Sequence, residues 1–476
     1  AYLTPGKTTG STSSILSIFT FLLYSAYSHY ILQPTPRKQQ FNLTVHRAHL
    51  MLQATRFTIP AFSSSSRCFA WHTAQFARVS TVWGVRPHIT RSQRRANSKL
   101  VMAETTAGLN IETRPEEYEE LLEAKVSRVQ ELFADKGLRI PPVDAFQSER
   151  ENFRTRAEFR IWHDGETSHY AMFDPKAPKK PVKIENFPMG SKRINDLMPL
   201  VLQEIMDKPF LRKGLFQANF LTTLSGDDLV TLIYHKKLAE EWTEAVEGMR
   251  QRLGVSIVGR SRSQKVLLDR DWVIEKLPVN GRQLIYKQME GAFCQPNAGM
   301  CVKMLEWAID VTTPVDGAPD HDLLELYCGN GNFTIALAHN FKRCLATEIS
   351  KASVAAAEEN CSANSVHNTV LVRMSSQDFT DALVNGTERF RLKEIDLKSY
   401  DFKTILVDPP RAGLDPATQE LVSELFDNIV YISCSPDTLA RDLEAICQTH
   451  RVEKFAVFDQ FPYTPHLECG AYLVRK

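Results

Sequence analysis

The chain has 476 residues, of which 43% are hydrophobic and 24% are charged, a composition typical of a soluble globular protein with two or three domains. Its net charge of +1 hides an asymmetry, because residues 1–103 contain 12 Lys and Arg and no acid, whereas the remainder carries all 56 acidic and 45 of the 57 basic residues. The nine cysteines occur singly, which argues against zinc or iron–sulfur motifs and a dense disulfide framework and indicates a reducing compartment.

The acid-free segment of residues 1–103 is rich in Ser, Thr and Arg, as organellar transit peptides are. We predict a largely disordered targeting leader that takes no part in the fold. Val101-Met102-Ala103 suits a processing site and favours a plastid over a mitochondrion. Met51 and Met102 are alternative initiators, and a start at Met102 predicts a cytosolic protein. The apolar run from Ile15 to Tyr27 is short and interrupted by Ser and Thr, so we expect no membrane span.

Residues 112–287 are predicted to form an α+β domain. An amphipathic helix begins at Thr113-Arg-Pro-Glu-Glu and runs to about Lys136, with acids in its first turn. From about Phe153 the periodicity changes to alternation, and a second helix is predicted from Ala239 to Leu253. The predicted strands are A-E-F-R-I-W-H, F-L-T-T-L, L-V-T-L-I-Y-H and V-S-I-V-G-R.

Basic and aromatic residues are interleaved along these strands. Lys and Arg contact phosphates and aromatic rings stack on bases, which is what the recognition of single-stranded RNA loops requires. Taken singly, each basic residue is better explained as part of the solvated face of a strand. The clusters include Arg154, Arg156, Arg160, Lys176, His235 and Lys236.

From Asp322 the pattern becomes strand, glycine loop, helix, strand and acid. D-L-L-E-L-Y-C-G-N-G-N-F predicts a strand that enters a tight turn, where the glycines allow a ligand to approach the backbone. The next strand ends at Glu348, 19 residues after Gly329, where a carboxylate can accept both hydroxyls of a ribose. The glycine turn alone is equally compatible with a purely geometric role. Because Thr334 stands where a dinucleotide site prefers a third glycine, the pattern favours S-adenosylmethionine.

Two further aliphatic runs, F-K-T-I-L-V-D-P-P and N-I-V-Y-I-S-C-S-P, are typical of buried parallel strands. Asp408 and Cys434 should therefore emerge side by side at the carboxyl ends of these strands. Ser435 and Pro436 predict a helix start, whose positive end is expected to lower the pKa of the Cys434 thiol. The alternative for an isolated cysteine is a small buried hydrophobe, which suits Cys447 better.

Glu468 follows a proline-bounded turn and lies in an apolar strand, where an unpaired carboxylate is costly. Burial would raise its pKa and make it a usable proton acceptor. A structural ion pair explains the residue equally well.

These motifs, together with F-C-Q-P-N, D-P-P-R-A-G-L-D and D-Q-F-P-Y-T-P-H-L-E-C-G, resemble the RNA uracil-C5-methyltransferase family, in particular its bacterial branch that makes ribothymidine at position 54 of the tRNA T-loop. The resemblance covers roughly residues 112–476. It implies a Rossmann-like methyltransferase domain at residues 288–476, preceded by an α+β RNA-binding domain at residues 112–287. One departure is Ser435, where many relatives carry Asn.

The resemblance also implies roles for individual residues. Cys434 matches the nucleophile that forms an adduct with C6 of uridine 54, and Glu468 matches the proton acceptor. The residues that match S-adenosylmethionine-binding positions are Gln295, Tyr327, Asn332, Glu348 and Asp408. The expected RNA contacts are Arg154, Arg156, Arg160, His235, Lys236 and Arg411.

We therefore expect a monomer that binds the T-arm of tRNA and has no metal, iron–sulfur cluster, membrane contact or stable protein partner. The acidic body predicts modest, salt-sensitive RNA affinity. Methylation of uridine in ribosomal or other structured RNA remains an alternative, as does a mainly non-catalytic tRNA-folding module. An amino-methyltransferase is disfavoured, because Arg411 stands where such enzymes carry an aromatic residue after D-P-P.

Overall fold

The computed structural model describes residues 111–174, 177 and 179–476. Outside the described residues lie the predicted leader, its apolar run, both alternative initiators and Lys176. In chain order the strands are β1 (Val143–Phe146), β2 (Arg156–Asp164), β3 (Thr167–Phe173), β4 (Pro181–Ile184), β5 (Leu215–Leu221), β6 (Leu229–Tyr234), β7 (Ser256–Ser261), β8 (Gln264–Leu267), β9 (Trp272–Val279), β10 (Arg282–Met289), β11 (Asp322–Leu326), β12 (Cys344–Glu348), β13 (Thr369–Arg373), β14 (Phe402–Val407), β15 (Asn428–Ser433), β16 (His450–Phe458) and β17 (Glu468–Arg475). The α-helices are α1 (Tyr118–Asp135), α2 (Lys192–Asp207), α3 (Pro209–Arg212), α4 (Glu240–Leu253), α5 (Ala298–Thr312), α6 (Asn332–Leu337), α7 (Lys351–Ala363), α8 (Ser376–Asn385), α9 (Pro416–Leu425) and α10 (Pro436–Ile446).

A mixed eight-stranded sheet, in the order β1-β16-β17-β15-β14-β11-β12-β13, is the framework of the C-terminal half. Its strands β11, β14 and β15 are aliphatic and largely buried, as expected for parallel strands that are covered on both faces. The chain runs outward from β11 through β12 to β13 and then returns to the other side of β11 with β14 and β15. The strand order therefore reverses between β11 and β14, which creates a ligand crevice beyond their carboxyl ends. This topology confirms the predicted Rossmann-like fold.

A second sheet of seven strands, in the order β4-β3-β2-β5-β6-β7-β8, forms the preceding α+β region. One face packs against α2 and α4 around a core that includes Phe159 and Trp242. Because side chains alternate along a strand, Arg160 of β2 lies on the opposite face. Strand β5 ends earlier than the predicted F-L-T-T-L run, since the Thr223 hydroxyl accepts the Asp227 N–H at 2.9 Å and turns the chain.

Helix α2 and the β9–β10 hairpin are not predicted from the sequence. Helix α2 contains Pro199 in its interior, which obscures its apolar stripe, although Ser191 caps its N-terminus. The hairpin turns at Asn280-Gly281, where both residues have positive φ. Asn-Gly between two apolar runs is a strong hairpin signal, so the sequence does contain the information for this element.

The predicted division between residues 112–287 and 288–476 stays a prediction, but three elements connect the two parts. Helix α1 buries Leu121 in the core of the seven-stranded sheet and Phe133 in that of the eight-stranded sheet. Strand β1 pairs in parallel with β16. Leu277 and Tyr286 of the hairpin pack into the core that contains α5. The two sheets are therefore held together by shared elements rather than by a simple linker.

Candidate active site

Tyr327 and Asp408 emerge side by side at the point where the strand order reverses. Leu326 of β11 pairs with Val407 of β14. Tyr327 directly follows Leu326, and Asp408 directly follows Val407. Both side chains line one cleft, together with Gln295 and its neighbours. The cleft therefore lies where doubly wound sheets bind their ligands.

Cys434 and Glu468 meet at the ends of neighbouring antiparallel strands. Ser433 of β15 pairs with Cys469 of β17. Because the two strands are antiparallel, this register places Cys434 opposite Glu468. The charge of Glu468 contributes to raising the pKa of the Cys434 thiol. The structure thus brings the predicted nucleophile and the predicted proton acceptor together.

The loop after β11 has an unusual backbone. Tyr327 is a non-glycine residue with φ of 66°, a conformation that costs about 1–3 kcal/mol and is concentrated at functional sites. Gly331 has φ of 82°, and a Cβ at this position would approach the Ile335 side chain to 3.3 Å. A larger residue at position 331 would therefore disturb the loop that lines the cleft.

Four of the five predicted cofactor-binding residues line this cleft, namely Gln295, Tyr327, Asn332 and Asp408. Glu348 is not among the lining residues. Its carboxylate instead accepts the N–H of Gly329 at 3.2 Å and the N–H of Ser350 at 2.6 Å. The acid at the end of β12 therefore fixes the glycine loop.

Thr334, which replaces the third glycine of a dinucleotide motif, has a structural role. Its hydroxyl donates a hydrogen bond to the buried carboxylate of Glu325 in β11. Burial raises the pKa of Glu325 to about 8, although this hydrogen bond opposes the shift. The departure from the dinucleotide pattern is thus explained by a buried polar pair.

The predicted helix start after Cys434 is confirmed, but the predicted effect on its thiol is wrong. Ser435 caps α10 by accepting the N–H of Thr438, and Pro436 is the first helical residue. Burial of the half-buried thiol nevertheless raises its pKa, and the carboxylates of Glu468 and Asp408 add to the increase. The local helix dipole is outweighed by this environment.

Two carboxylates beside the thiol also have raised pKa values. Burial raises the pKa of Glu468 to about 8, with a further contribution from Asp408, as the sequence predicts for a buried acid. Burial alone raises the pKa of Asp408 to about 7. Groups that titrate near neutral pH can exchange protons with a bound substrate, so this arrangement suits acid–base chemistry next to a nucleophile.

Arg411 lies on the loop that follows Asp408, and its positive charge lowers the pKa of both Cys434 and Glu468, against the larger effect of burial. The buried carboxylate of Asp442 in α10 holds this loop by accepting the N–H of Leu414 at 2.9 Å. The placement of Arg411 is therefore tied to the core of the C-terminal sheet.

Glu275 and Gln460 are two site residues that are not predicted from the sequence. Glu275 is 1% exposed, lines the cleft and accepts the N–H of Leu224 at 2.9 Å, while burial raises its pKa to about 7. The alternation Val273, Glu275, Leu277 places it on the buried face of β9 and could have revealed it. The amide of Gln460 donates a hydrogen bond to Gln295.

On the seven-stranded sheet, Arg160 and His235 flank Phe216, which is not among the RNA contacts predicted from the sequence. The Phe216 and His235 rings stack, with centroids 3.9 Å apart and an interplanar angle of 14°. The guanidinium carbon of Arg160 lies 5.2 Å from the Phe216 ring centroid. We call Arg160, Phe216 and His235 the stacked platform.

The remaining predicted RNA contacts lie elsewhere. Arg154 and Arg156 line a cavity between the seven-stranded sheet and the turn that contains Phe461. Arg156 also donates to the carbonyl of Ala292 at 2.7 Å. The ammonium of Lys236 donates to a backbone carbonyl at 2.6 Å and is therefore engaged in the protein's own structure.

Within residues 111–174, 177 and 179–476, no cluster of three or more His, Cys, Asp or Glu side chains could hold a metal ion. In the same part of the chain, none of the helices combines the length and the apolar character that a membrane crossing requires.

Known proteins resemble this chain in sequence and in fold. Residues 117–476 match the model of the family described as tRNA (Uracil-5-)-methyltransferase. The chain is 48% identical over 373 residues to the tRNA/tmRNA (uracil-C(5))-methyltransferase of Vibrio parahaemolyticus, covering 77% of this chain and 99% of that protein. It is 52% identical over 359 residues to the enzyme of the same name from Cellvibrio japonicus, covering 75% and 96%. The fold resembles that of Pyrococcus abyssi tRNA (uracil-54, C5)-methyltransferase in complex with S-adenosyl-L-homocysteine, with a TM-score of 0.57, 20% identity and coverage of 75% of this chain and 83% of that one.

Proposed function

The chain belongs to the tRNA (uracil-5-)-methyltransferase family, and from this premise we propose that it transfers a methyl group from S-adenosylmethionine to C5 of uridine 54 in the T-loop of tRNA. The observation that carries the proposal is the meeting of Cys434, Glu468 and Asp408 beside one cleft. Substitution at C5 of uracil requires a thiolate that adds to C6 and a base that removes the C5 proton, and Cys434 and Glu468 are residues of these two types.

The cleft suits S-adenosylmethionine. The side-chain nitrogen of Asn332 is buried and, among the described residues, has no hydrogen-bond partner, so it is available to a ligand. Gln295, Tyr327 and Asp408 line the same cleft, and we assign them to cofactor binding. We also assign Glu348 to this role, because its carboxylate accepts the N–H of Gly329 in the glycine loop that lines the cleft. When bound, S-adenosylmethionine supplies an electrophilic methyl group on a sulfonium centre.

Cys434 activates the base. C5 of uracil is a weak nucleophile, but addition of the thiolate to C6 forms a carbon–sulfur bond and moves the ring π electrons toward O4, which makes C5 nucleophilic. The neighbouring charge of Arg411 favours the thiolate. Because the target base is stacked within the T-loop, it must turn out of the stack to reach the thiol.

Glu468 completes the reaction after C5 has gained the methyl group. Its carboxylate accepts the C5 proton, the electron pair of that C–H bond forms the C5–C6 double bond, and the bond from C6 to the Cys434 sulfur breaks. The elimination restores the aromatic base and releases the thiolate. Asp408 and Arg411 hold the reacting groups in register.

The stacked platform is proposed to bind RNA by base stacking and phosphate contact. Phe216→Ala should weaken tRNA binding by about 1–3 kcal/mol, the range for one lost base–aromatic stack, and leave kcat at saturating tRNA nearly unchanged. Arg160→Ala should reduce the steepness of the salt dependence by about one phosphate contact. Filter binding over a salt series measures both effects.

The matched control for this platform is Phe390→Ala. Phe390 is an exposed aromatic residue in the C-terminal half, with the ammonium of Lys393 at 4.8 Å from its ring centroid. Its replacement should leave affinity unchanged. Equal losses in Phe216→Ala and Phe390→Ala would remove the platform from the RNA interface.

The substrate assignment is tested with unmodified tRNA transcripts and S-adenosylmethionine carrying a labelled methyl group. One labelled 5-methyluridine per tRNA is expected, and a uridine-to-cytidine change at position 54 should abolish it. Because the relatives are named for tRNA and tmRNA, a tmRNA transcript and ribosomal RNA are the competing substrates in the same assay. Labelling of ribosomal RNA, or of the position-54 variant, would contradict the assignment.

A further inference from the structure

A single buried lysine supports the turn that precedes Glu468. Lys125 of α1 is 1% exposed, and its ammonium donates to Asp459 Oδ1 at 2.6 Å, to the Phe461 carbonyl at 3.0 Å and to the His466 carbonyl at 3.1 Å. An ammonium has three hydrogens, so these bonds use its full donor capacity. All three acceptors belong to the turn between β16 and β17.

The three acceptors lie at both ends of this turn. Asp459 follows β16 directly, whereas His466 stands two residues before Glu468. Gln460, whose amide contacts the cofactor-binding Gln295, lies between two of the three acceptors. One side chain thus fixes the segment that connects the cleft to the proposed proton acceptor.

Helix α1, which carries Lys125, is itself held in place by packing on both sides. Its residues pack into the cores of both sheets, so the ammonium is held relative to both. Arg128, one turn further along the helix, donates to the Pro465 carbonyl of the same turn at 2.6 Å. Burial lowers the pKa of Lys125, while the charge of Asp459 opposes this, which shows that the contact is made at an electrostatic cost.

We propose that Lys125 is a positioning residue for catalysis, which sets the turn of residues 459–467 so that Glu468 reaches the C5 proton of the substrate. The inference rests on the proposed function. It concerns an element far from Glu468 in the sequence, and Lys125 itself touches no reacting atom.

Loss of Lys125 should affect the later steps of the reaction more than the earlier ones. Addition of Cys434 to C6 and methylation of C5 both precede proton removal, so neither needs a well-placed Glu468. In Lys125→Met the covalent protein–RNA adduct should form at a rate within about threefold of wild type, whereas turnover should fall by about tenfold or more. The adduct should accumulate on ordinary uridine RNA and run as a slow band on a denaturing gel.

The experiment uses the full chain, end-labelled tRNA transcript and S-adenosylmethionine, and compares wild type with Lys125→Met. Lys136→Met is the matched control, because Lys136 lies at the end of the same helix in a partly exposed ion pair with Glu444. It should behave as wild type. Lys125→Met leaves the carboxylate of Asp459 buried without its cationic partner. The double variant Lys125→Met/Asp459→Leu removes both charges and is expected to show the same accumulation if the single variant does not fold.

Equal losses of adduct formation and turnover in the variants would overturn the positioning role and indicate a general structural defect. Unchanged turnover would overturn it as well. Failure of the wild-type protein to form 5-methyluridine would instead overturn the proposed function, so the two failures are distinguishable.

Discussion

Replacing Cys434 with alanine is expected to lower kcat for tRNA methylation by about 10⁴-fold or more, the order of effect seen when a covalent nucleophile is removed. Without the thiolate, C5 of uracil stays too weak a nucleophile to accept a methyl group. The rate of label transfer from S-adenosylmethionine to tRNA measures the loss, and tRNA affinity should change little.

The control for this variant is Cys447→Ala. Cys447 is also half-buried with a raised pKa, but it lies at the opposite end of α10 from Cys434. Its replacement should leave the rate unchanged. A Cys434→Ala enzyme that retains wild-type turnover would contradict the covalent mechanism.

Replacing Glu468 with glutamine is expected to lower turnover by about 10²–10⁴-fold, the usual contribution of a general base. The loss should fall on proton removal, so that the covalent adduct accumulates while addition of Cys434 is retained. Quantifying adduct and 5-methyluridine in one time course separates the two steps. A parallel loss of both would indicate that Glu468 acts before methylation.

The same residue determines the expected pH dependence. A base works in its deprotonated form, and burial raises the pKa of Glu468 to about 8, so the free enzyme holds it mainly protonated at neutral pH. The raised pKa of Cys434 acts in the same direction, because only the thiolate adds to C6. Accordingly kcat/KM should rise as the pH increases from about 6.5 to about 9. A profile that falls over this range would contradict these assignments.

The parts of the site that the sequence predicts are those at the ends of buried strands. The aliphatic runs before Asp408 and Cys434 predict parallel strands, and the carboxyl ends of parallel strands lie at one edge of the sheet. The capping pair at Ser435 and Pro436 is local chemistry and is likewise confirmed. Such features depend on neighbours in the sequence or on a general rule of sheet topology.

The sequence fails where the outcome depends on distant residues. The helix dipole beside Cys434 is a local feature, but the pKa of the thiol is raised by burial and by the charges of Glu468 and Asp408, which come from other parts of the chain. In the sequence, Lys125 looks like an ordinary polar residue of an amphipathic helix. Its ion-pair partner Asp459 is more than 300 residues away along the chain. Phe216 gains its significance only when β5 and the end of β6 bring it against His235.

The proposed mechanism depends on a covalent bond between the Cys434 sulfur and C6 of uridine 54. The direct test combines the full chain, S-adenosylmethionine with a labelled methyl group, and a tRNA transcript with 5-fluorouridine at position 54. Because fluorine replaces the hydrogen that Glu468 would remove as a proton, we expect a denaturation-resistant adduct that carries the label, maps to Cys434 and is absent from Cys434→Ala. Methylation of ordinary uridine 54 without any adduct on the fluorinated RNA, or an adduct at another cysteine, would contradict it.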